Sequence, residues 1–190
     1  TQDWINLDNK IKFFKTHHIN CKIGEYPFTN KNNTLATIYV VRDPRNLVNS
    51  FTNHYSMDKD KVKYFITSPQ SVTGALGKKM TENNIFTILG SWKDHYRSWT
   101  NVNQNLLILK YEDLVSDPMP EIDKIINFLK KFTNFKYDNK KINNIINSTS
   151  FDVLKKSEKE KGFHEAVTDQ TGSNKVNFFN LGKENKWEKY

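Results

Sequence analysis

Apolar positions along the chain fall into continuous runs and helical stripes. Residues 35–41, LATIYVV, are an unbroken β-branched and aromatic run, the pattern of a strand covered on both faces. NLLILKYED, 105–113, predicts a further buried strand, and IKFFKT, 11–16, a shorter one. Elsewhere the apolar spacing lengthens. Asp43-Pro44 reads as an N-cap and first helical position, followed by Leu47, Val48, Phe51 and Tyr55 on one stripe. Residues 85–99 place Ile88, Trp92, Tyr96 and Trp99 on one helical face. A helix over 117–132 starts at Asp117-Pro118, another covers roughly 138–147, and a short one begins after Thr149 or Ser150. Residues 56–80, interrupted by Pro69, Gly74 and Gly77, predict loop with short helices; 155–177, Lys-rich and without period, predict a surface loop. Strands alternating with helices indicate an α/β fold with a parallel β-sheet flanked by helices.

The 190 residues suit a single domain with a real core. The hydrophobic fraction is low, 36%, and Asn and Lys make up the difference, which describes a folded and very polar protein. A net charge of +8 favours anionic partners, but it is spread along the chain without a dense basic tract, which argues against nucleic acid. One cysteine, Cys21, excludes an internal disulfide framework and a CxxC metal site. No apolar run approaches the ~20 residues of a membrane helix. The chain opens at Thr1 without an initiator Met, and a signal-peptide pattern is not among these residues.

The candidate chemistry gathers at strand ends. Two of the three arginines, Arg42 and Arg45, follow the 35–41 run where a helix begins. A helix N-terminus offers unbonded N–H groups and the positive dipole end, and arginine adds a planar fork matched to phosphate oxygens. Ser50 lies about two turns along that helix, within reach of an anion on its flank. The same pattern also fits arginines that pair with Asp43 or another carboxylate. FFKTHH, 13–18, brings Lys15 beside His17: an imidazole suited to general-base work and an ammonium that neutralises developing charge, or a solvated loop. His17 and His18, adjacent in extended chain, point apart and cannot chelate one metal. Tyr111 is placed to contact a base or to edge the core, and Phe151 to pack on an aromatic ligand.

Together, FFKTHH, YVVRDPRNLVNSF, GSWKDHYRSW, LLILKYEDLVSDP, INSTSFDVLKK and FFNLGKENKW resemble, in order, the sulfotransferases that use 3′-phosphoadenosine 5′-phosphosulfate (PAPS). The resemblance covers most of the chain and implies a P-loop-kinase-like, three-layer architecture in a single domain, 1–190. It implies that Arg42 and Ser50 hold the 3′-phosphate of PAPS and that Tyr111, Thr149, Ser150 and Phe151 surround the adenine. Phe178 and Gly182 then belong to the segment that closes over the 3′-phosphate. His17 matches the general base and Lys15 its neighbouring cation, while Trp92 and His95 line the acceptor side. PAPS would be the co-substrate and 3′,5′-bisphosphoadenosine (PAP) the product, with no metal.

The chain departs from the family pattern in three places. The phosphate-cradling loop after the family's first strand is expected upstream of residue 1. Asn180-Leu181-Gly182 stands where many members have Arg-Lys-Gly, and the C-terminal dimer segment is expected beyond Tyr190. A small-molecule or saccharide acceptor, a cytoplasmic setting and a homodimer are compatible with the resemblance; nucleic-acid and membrane partners are not expected. Two alternatives remain at this level, a degenerate non-catalytic nucleotide-binding module and a basic nucleic-acid-binding domain.

Overall fold

The structure, a computed structural model, describes residues 8, 10–74, 86–102, 105–134, 136–163, 166–169 and 171–189. They form two compact units, residues 1–39 with 64–106 and residues 40–63 with 107–190. Helices and strands alternate through an α/β fold with a parallel sheet, as the pattern of runs and stripes predicts.

The strands are β1 (Lys22–Ile23), β2 (Tyr26–Pro27), β3 (Thr37–Val41), β4 (Val72–Thr73), β5 (Thr87–Ile88) and β6 (Leu106–Lys110). The helices are α1 (Pro44–Tyr55), α2 (Lys59–Thr67), α3 (Trp92–Thr100), α4 (Tyr111–Ser116), α5 (Pro118–Leu129), α6 (Asn139–Ser148) and α7 (Phe151–Lys161), with 3₁₀ turns at Gly182–Glu184 and Trp187–Lys189. β3 pairs with β6. The Thr37 amide donates to the Asn105 carbonyl and the Asn105 amide side chain to the Leu35 carbonyl, so the two strands start at the same end. β1–β2 and β4–β5 are short antiparallel pairs.

In the first unit, Trp99 and Val102 are buried. Its α3 starts for legible reasons. Ser91 caps it, accepting from the Asp94 amide while its hydroxyl donates to the Asp94 carboxylate, a reciprocal cap. Gly90 precedes it at φ +65°, where a Cβ would lie 2.9 Å from Ile19 Cδ1. In the second unit, Val62, Leu109, Ile126, Phe128 and Ile142 form the buried apolar set. There α1 begins as predicted: Asp43 is its N-cap, accepting from the Arg45 amide, with Pro44 at the first position.

Several expectations are corrected. Residues 11–16 form no strand; a strand needs a hydrogen-bonding neighbour, and Phe13 and Phe14 stay exposed. The 35–41 and 105–113 runs are not covered on both faces, because Ile38, Val40 and Ile108 remain 37, 52 and 38% exposed. The second run ends as strand at Lys110 and turns directly into α4. The predicted helix over 85–99 starts only at Trp92; Thr87-Ile88 pair with β4 instead, and the β-branched pair suits that role. Residues 155–161, predicted as loop, continue α7. The 56–80 loop and the start of the 85–99 helix extend over 75–85, outside the described residues.

Candidate functional site

The second unit assembles its site around α1. The two arginines at its start behave differently. Arg45 is exposed and folds back onto Asp43, with Nη2 2.6 Å from Oδ2, which holds the Asp43 carboxyl below its ordinary value. Arg42 is half-buried: Nη1 donates to Ser50 Oγ at 3.4 Å, and its guanidinium lies 4.3 Å from the centroid of the Tyr111 ring. Desolvation pulls Arg42 below its ordinary value, an effect opposed by Tyr111 and by Glu112; an arginine so placed remains a cation. The pairing with Asp43 that the sequence left open is thus taken by Arg45, while Arg42, Ser50 and Tyr111 are brought together. A guanidinium, a hydroxyl and a helix N-terminus in one place suit a phosphate.

A buried polar network stabilises this arrangement. Glu112 Oε1 accepts from the Asp43 amide at 3.2 Å and from Asn46 Nδ2 at 3.0 Å, tying the start of α4 to the start of α1. Asn46, 7% exposed, also accepts the Trp187 amide on Oδ1, and its carbonyl accepts Asn185 Nδ2, both at 2.9 Å. Arg45 lies 4.1 Å from the Trp187 ring centroid. Sequence reading missed Glu112, Asn46 and Asn185. For Asn46 and Glu112 the signal was a polar residue at a helical position; Asn185 follows a 3₁₀ turn and gave none.

Thr149 closes α6, its hydroxyl donating to the Ile145 carbonyl at 2.7 Å. Ser150 is the N-cap of α7, with no cap bond from its side chain, and Phe151 is the first helical residue. The Phe151 ring abuts Gly182, where a Cβ would lie 2.8 Å from three ring carbons and φ is +54°; only glycine suits that approach. Phe178 and Phe179 pack with Phe163 at centroid distances of 4.8 and 5.2 Å.

The first unit holds Lys15, His17, Trp92 and His95. Lys15 and His17 are exposed. The His17 backbone is fixed from α3: His95 Nε2 lies 3.2 Å from the His17 carbonyl, so Nε2 carries the proton. His95 Nδ1 then accepts from the Tyr39 hydroxyl at 2.9 Å. Burial lowers the His95 imidazole and pushes the Tyr39 hydroxyl up to about 12, so the neutral pair is the stable form. The next residues are held too. Trp99 Nε1 donates to the His18 carbonyl at 2.9 Å, the Ile19 amide bonds the Ile88 carbonyl, and the Asn20 amide donates to Ser98 Oγ. Trp92 stacks on Tyr96 at 5.7 Å. Sequence reading gave Tyr39 no role, placed Trp99 only on a helical face and weighed His18 only as a metal ligand.

The model of the sulfotransferase domain matches residues 4–190. Rat sulfotransferase 2A2 (Rattus norvegicus) is 30% identical over 125 residues, covering 63% of this chain and 39% of the relative. Dog sulfotransferase 1B1 (Canis lupus familiaris) is 28% identical over 181 residues, 94% of this chain and 56% of the relative. Among solved structures, the mouse sulfotransferase SULT7A1 complexed with PAP is similar in fold, with TM-score 0.58 and 22% identity, covering 87% of this chain and 56% of that one. The chain spans less than two thirds of the length of these relatives.

Proposed function

The chain belongs to the sulfotransferase domain family, and from that premise we propose that it serves in transfer of a sulfuryl group from PAPS to a hydroxyl or amine of an acceptor. The observation that carries this reading is Arg42, over the Tyr111 ring with Nη1 on Ser50, immediately before the N-cap of α1. In this reading Arg42 and Ser50 hold the 3′-phosphate. Tyr111, Thr149, Ser150 and Phe151 surround the adenine, and Phe178 and Gly182 belong to the segment over the phosphate. The pairing fits that group, because a cation and a hydroxyl donor are already oriented together before any ligand arrives.

PAPS, when bound, supplies the activated sulfuryl group. His17 takes the proton from the attacking hydroxyl or amine, and Lys15 neutralises charge near it. Trp92 and His95 border the acceptor. Both His95 ring nitrogens are engaged, so it offers a ring face and a fixed His17 backbone rather than a hydrogen bond to the acceptor. The reading brings with it a small-molecule or saccharide acceptor and a cytoplasmic setting, with no metal. Asn180 and Leu181, where many members carry Arg-Lys, predict weaker hold on the 3′-phosphate.

The test is a calorimetric titration of the full chain with PAP and with 5′-AMP. Tighter binding of PAP supports the reading; equal binding of the two nucleotides removes the 3′-phosphate site from it.

A further inference from the structure

Three residues on one stripe of α7 meet one backbone segment in strict order. Phe151 packs on Gly182. Lys155 Nζ donates to the Asn180 carbonyl at 2.8 Å. Glu158 accepts the Phe178 amide on Oε1 at 2.7 Å and the Phe179 amide on Oε2 at 2.9 Å. Steps of four and three residues keep these side chains on one helical face. Their partners descend from 182 to 178 as the helix ascends, so the segment runs antiparallel along α7. Its other end is tied separately, through Asn185 and the Trp187 amide on Asn46.

Lys155 and Glu158 bond backbone groups of the segment. These bonds do not use the side chains at 180 and 181, the two positions where this chain has Asn and Leu. We propose that Glu158 is a positioning residue for the nucleotide site: its carboxylate fixes consecutive amides of Phe178 and Phe179, presetting the segment that ends at Gly182. The inference rests on the nucleotide reading above, because it takes the 178–182 segment as the one over the 3′-phosphate. Two charge-assisted bonds to adjacent amides hold the backbone more firmly than neutral ones. A strap that is ordered before binding spares the ligand the entropy of ordering it.

The experiment is calorimetric titration of PAP and 5′-AMP into the full chain and into Glu158→Ala, with the ligand-free melting temperature measured alongside. The expected result is PAP affinity about tenfold lower in Glu158→Ala, with 5′-AMP affinity unchanged. Glu158→Gln, which keeps one acceptor oxygen, should fall between and carries the same comparison if the alanine variant does not fold. Equal weakening of both nucleotides would reduce Glu158 to a structural role and overturn the proposal. A Glu158→Ala protein that keeps the full preference for PAP overturns it too, while leaving the Arg42/Ser50 site intact. No preference for PAP in the unaltered chain defeats the nucleotide reading first, and this inference with it.

Discussion

The two units hold their candidate site residues in opposite ways. Around α1 the side chains themselves are fixed: Arg42 lies between Ser50 and the Tyr111 ring, and Phe151 lies against Gly182. Around His17 the backbone is fixed and the side chain is exposed; His95 and Trp99 bond the carbonyls of His17 and His18, and Ser98 bonds the Asn20 amide. Fixed side chains suit a ligand of one shape, a nucleotide with a phosphate at a set position. A fixed backbone with an open imidazole suits a proton transfer, whose donor need only come within hydrogen-bond reach. The two arrangements predict different failures when they are altered.

The largest effect should be His17→Ala. Turnover should fall by roughly 10²- to 10⁴-fold, the usual worth of a general base, with PAP affinity unchanged. Rates of sulfate transfer from labelled PAPS to a panel of alcohols and amines, with a parallel PAP titration, check both halves. A variant that turns over normally removes His17 from the chemistry. Arg42→Ala should give the reverse. Charged hydrogen bonds contribute roughly 1.5–3 kcal/mol each, so PAP affinity should drop by about 100-fold while 5′-AMP loses far less. An equal loss for both nucleotides would mean that Arg42 supports the fold rather than a 3′-phosphate.

A finer contrast comes from two glycines with similar backbones, Gly90 at φ +65° and Gly182 at φ +54°. Alanine at either adds left-handed strain of about 1–2 kcal/mol. Beyond that they differ in what the methyl meets. At Gly90 it meets the tip of Ile19, which can turn aside, and the nearest backbone atom, the Pro69 carbonyl oxygen, is 3.6 Å away. At Gly182 it meets three carbons of a flat ring, 2.8 Å away. Gly90→Ala should therefore cost stability alone, read as a lower melting temperature. Gly182→Ala should lower the melting temperature and also weaken PAP binding several-fold, because Phe151 must move.

How much of this was legible in the sequence follows the range of the interactions. The start of α1 was readable because Asp43, Pro44 and the Arg45 amide lie within three residues. The eight-residue step from Arg42 to Ser50 was readable for the same reason, since both flank one helix. The failures have a common cause. IKFFKT has the composition of a strand, but composition does not supply the neighbour a strand needs. The 35–41 run reports apolar side chains and not whether something covers them, so Ile38 and Val40 came out exposed. Glu158 and Asn46 act on partners 20 to 141 residues away, and no periodicity connects such positions. The Lys-rich 155–161 stretch shows no apolar period and so predicts loop; its one-sided pattern consists of Lys155 and Glu158, which bond backbone rather than pack in a core.

The smallest effect should come from mild acid, acting on the unit whose backbone is held by an imidazole. Burial keeps the His95 pKa below the 6.5 of the unfolded chain. A group whose charged form the fold disfavours contributes its full stability above the unfolded value, and that contribution shrinks as pH falls through 6.5 toward the lower folded value. Tyr39, raised to about 12, stays protonated throughout and donates to Nδ1; a proton on Nδ1 would force that hydroxyl to turn and accept. Melting temperature measured between pH 7.5 and pH 5.5 should therefore decline in the unaltered chain and decline less in His95→Gln, whose amide can still donate toward the His17 carbonyl but does not titrate. The difference between the two slopes isolates His95 from every other titrating group. Identical slopes would mean that His95 is not the titrating link, and that the His17 backbone is held chiefly by its neighbours at Trp99, Ser98 and Ile88.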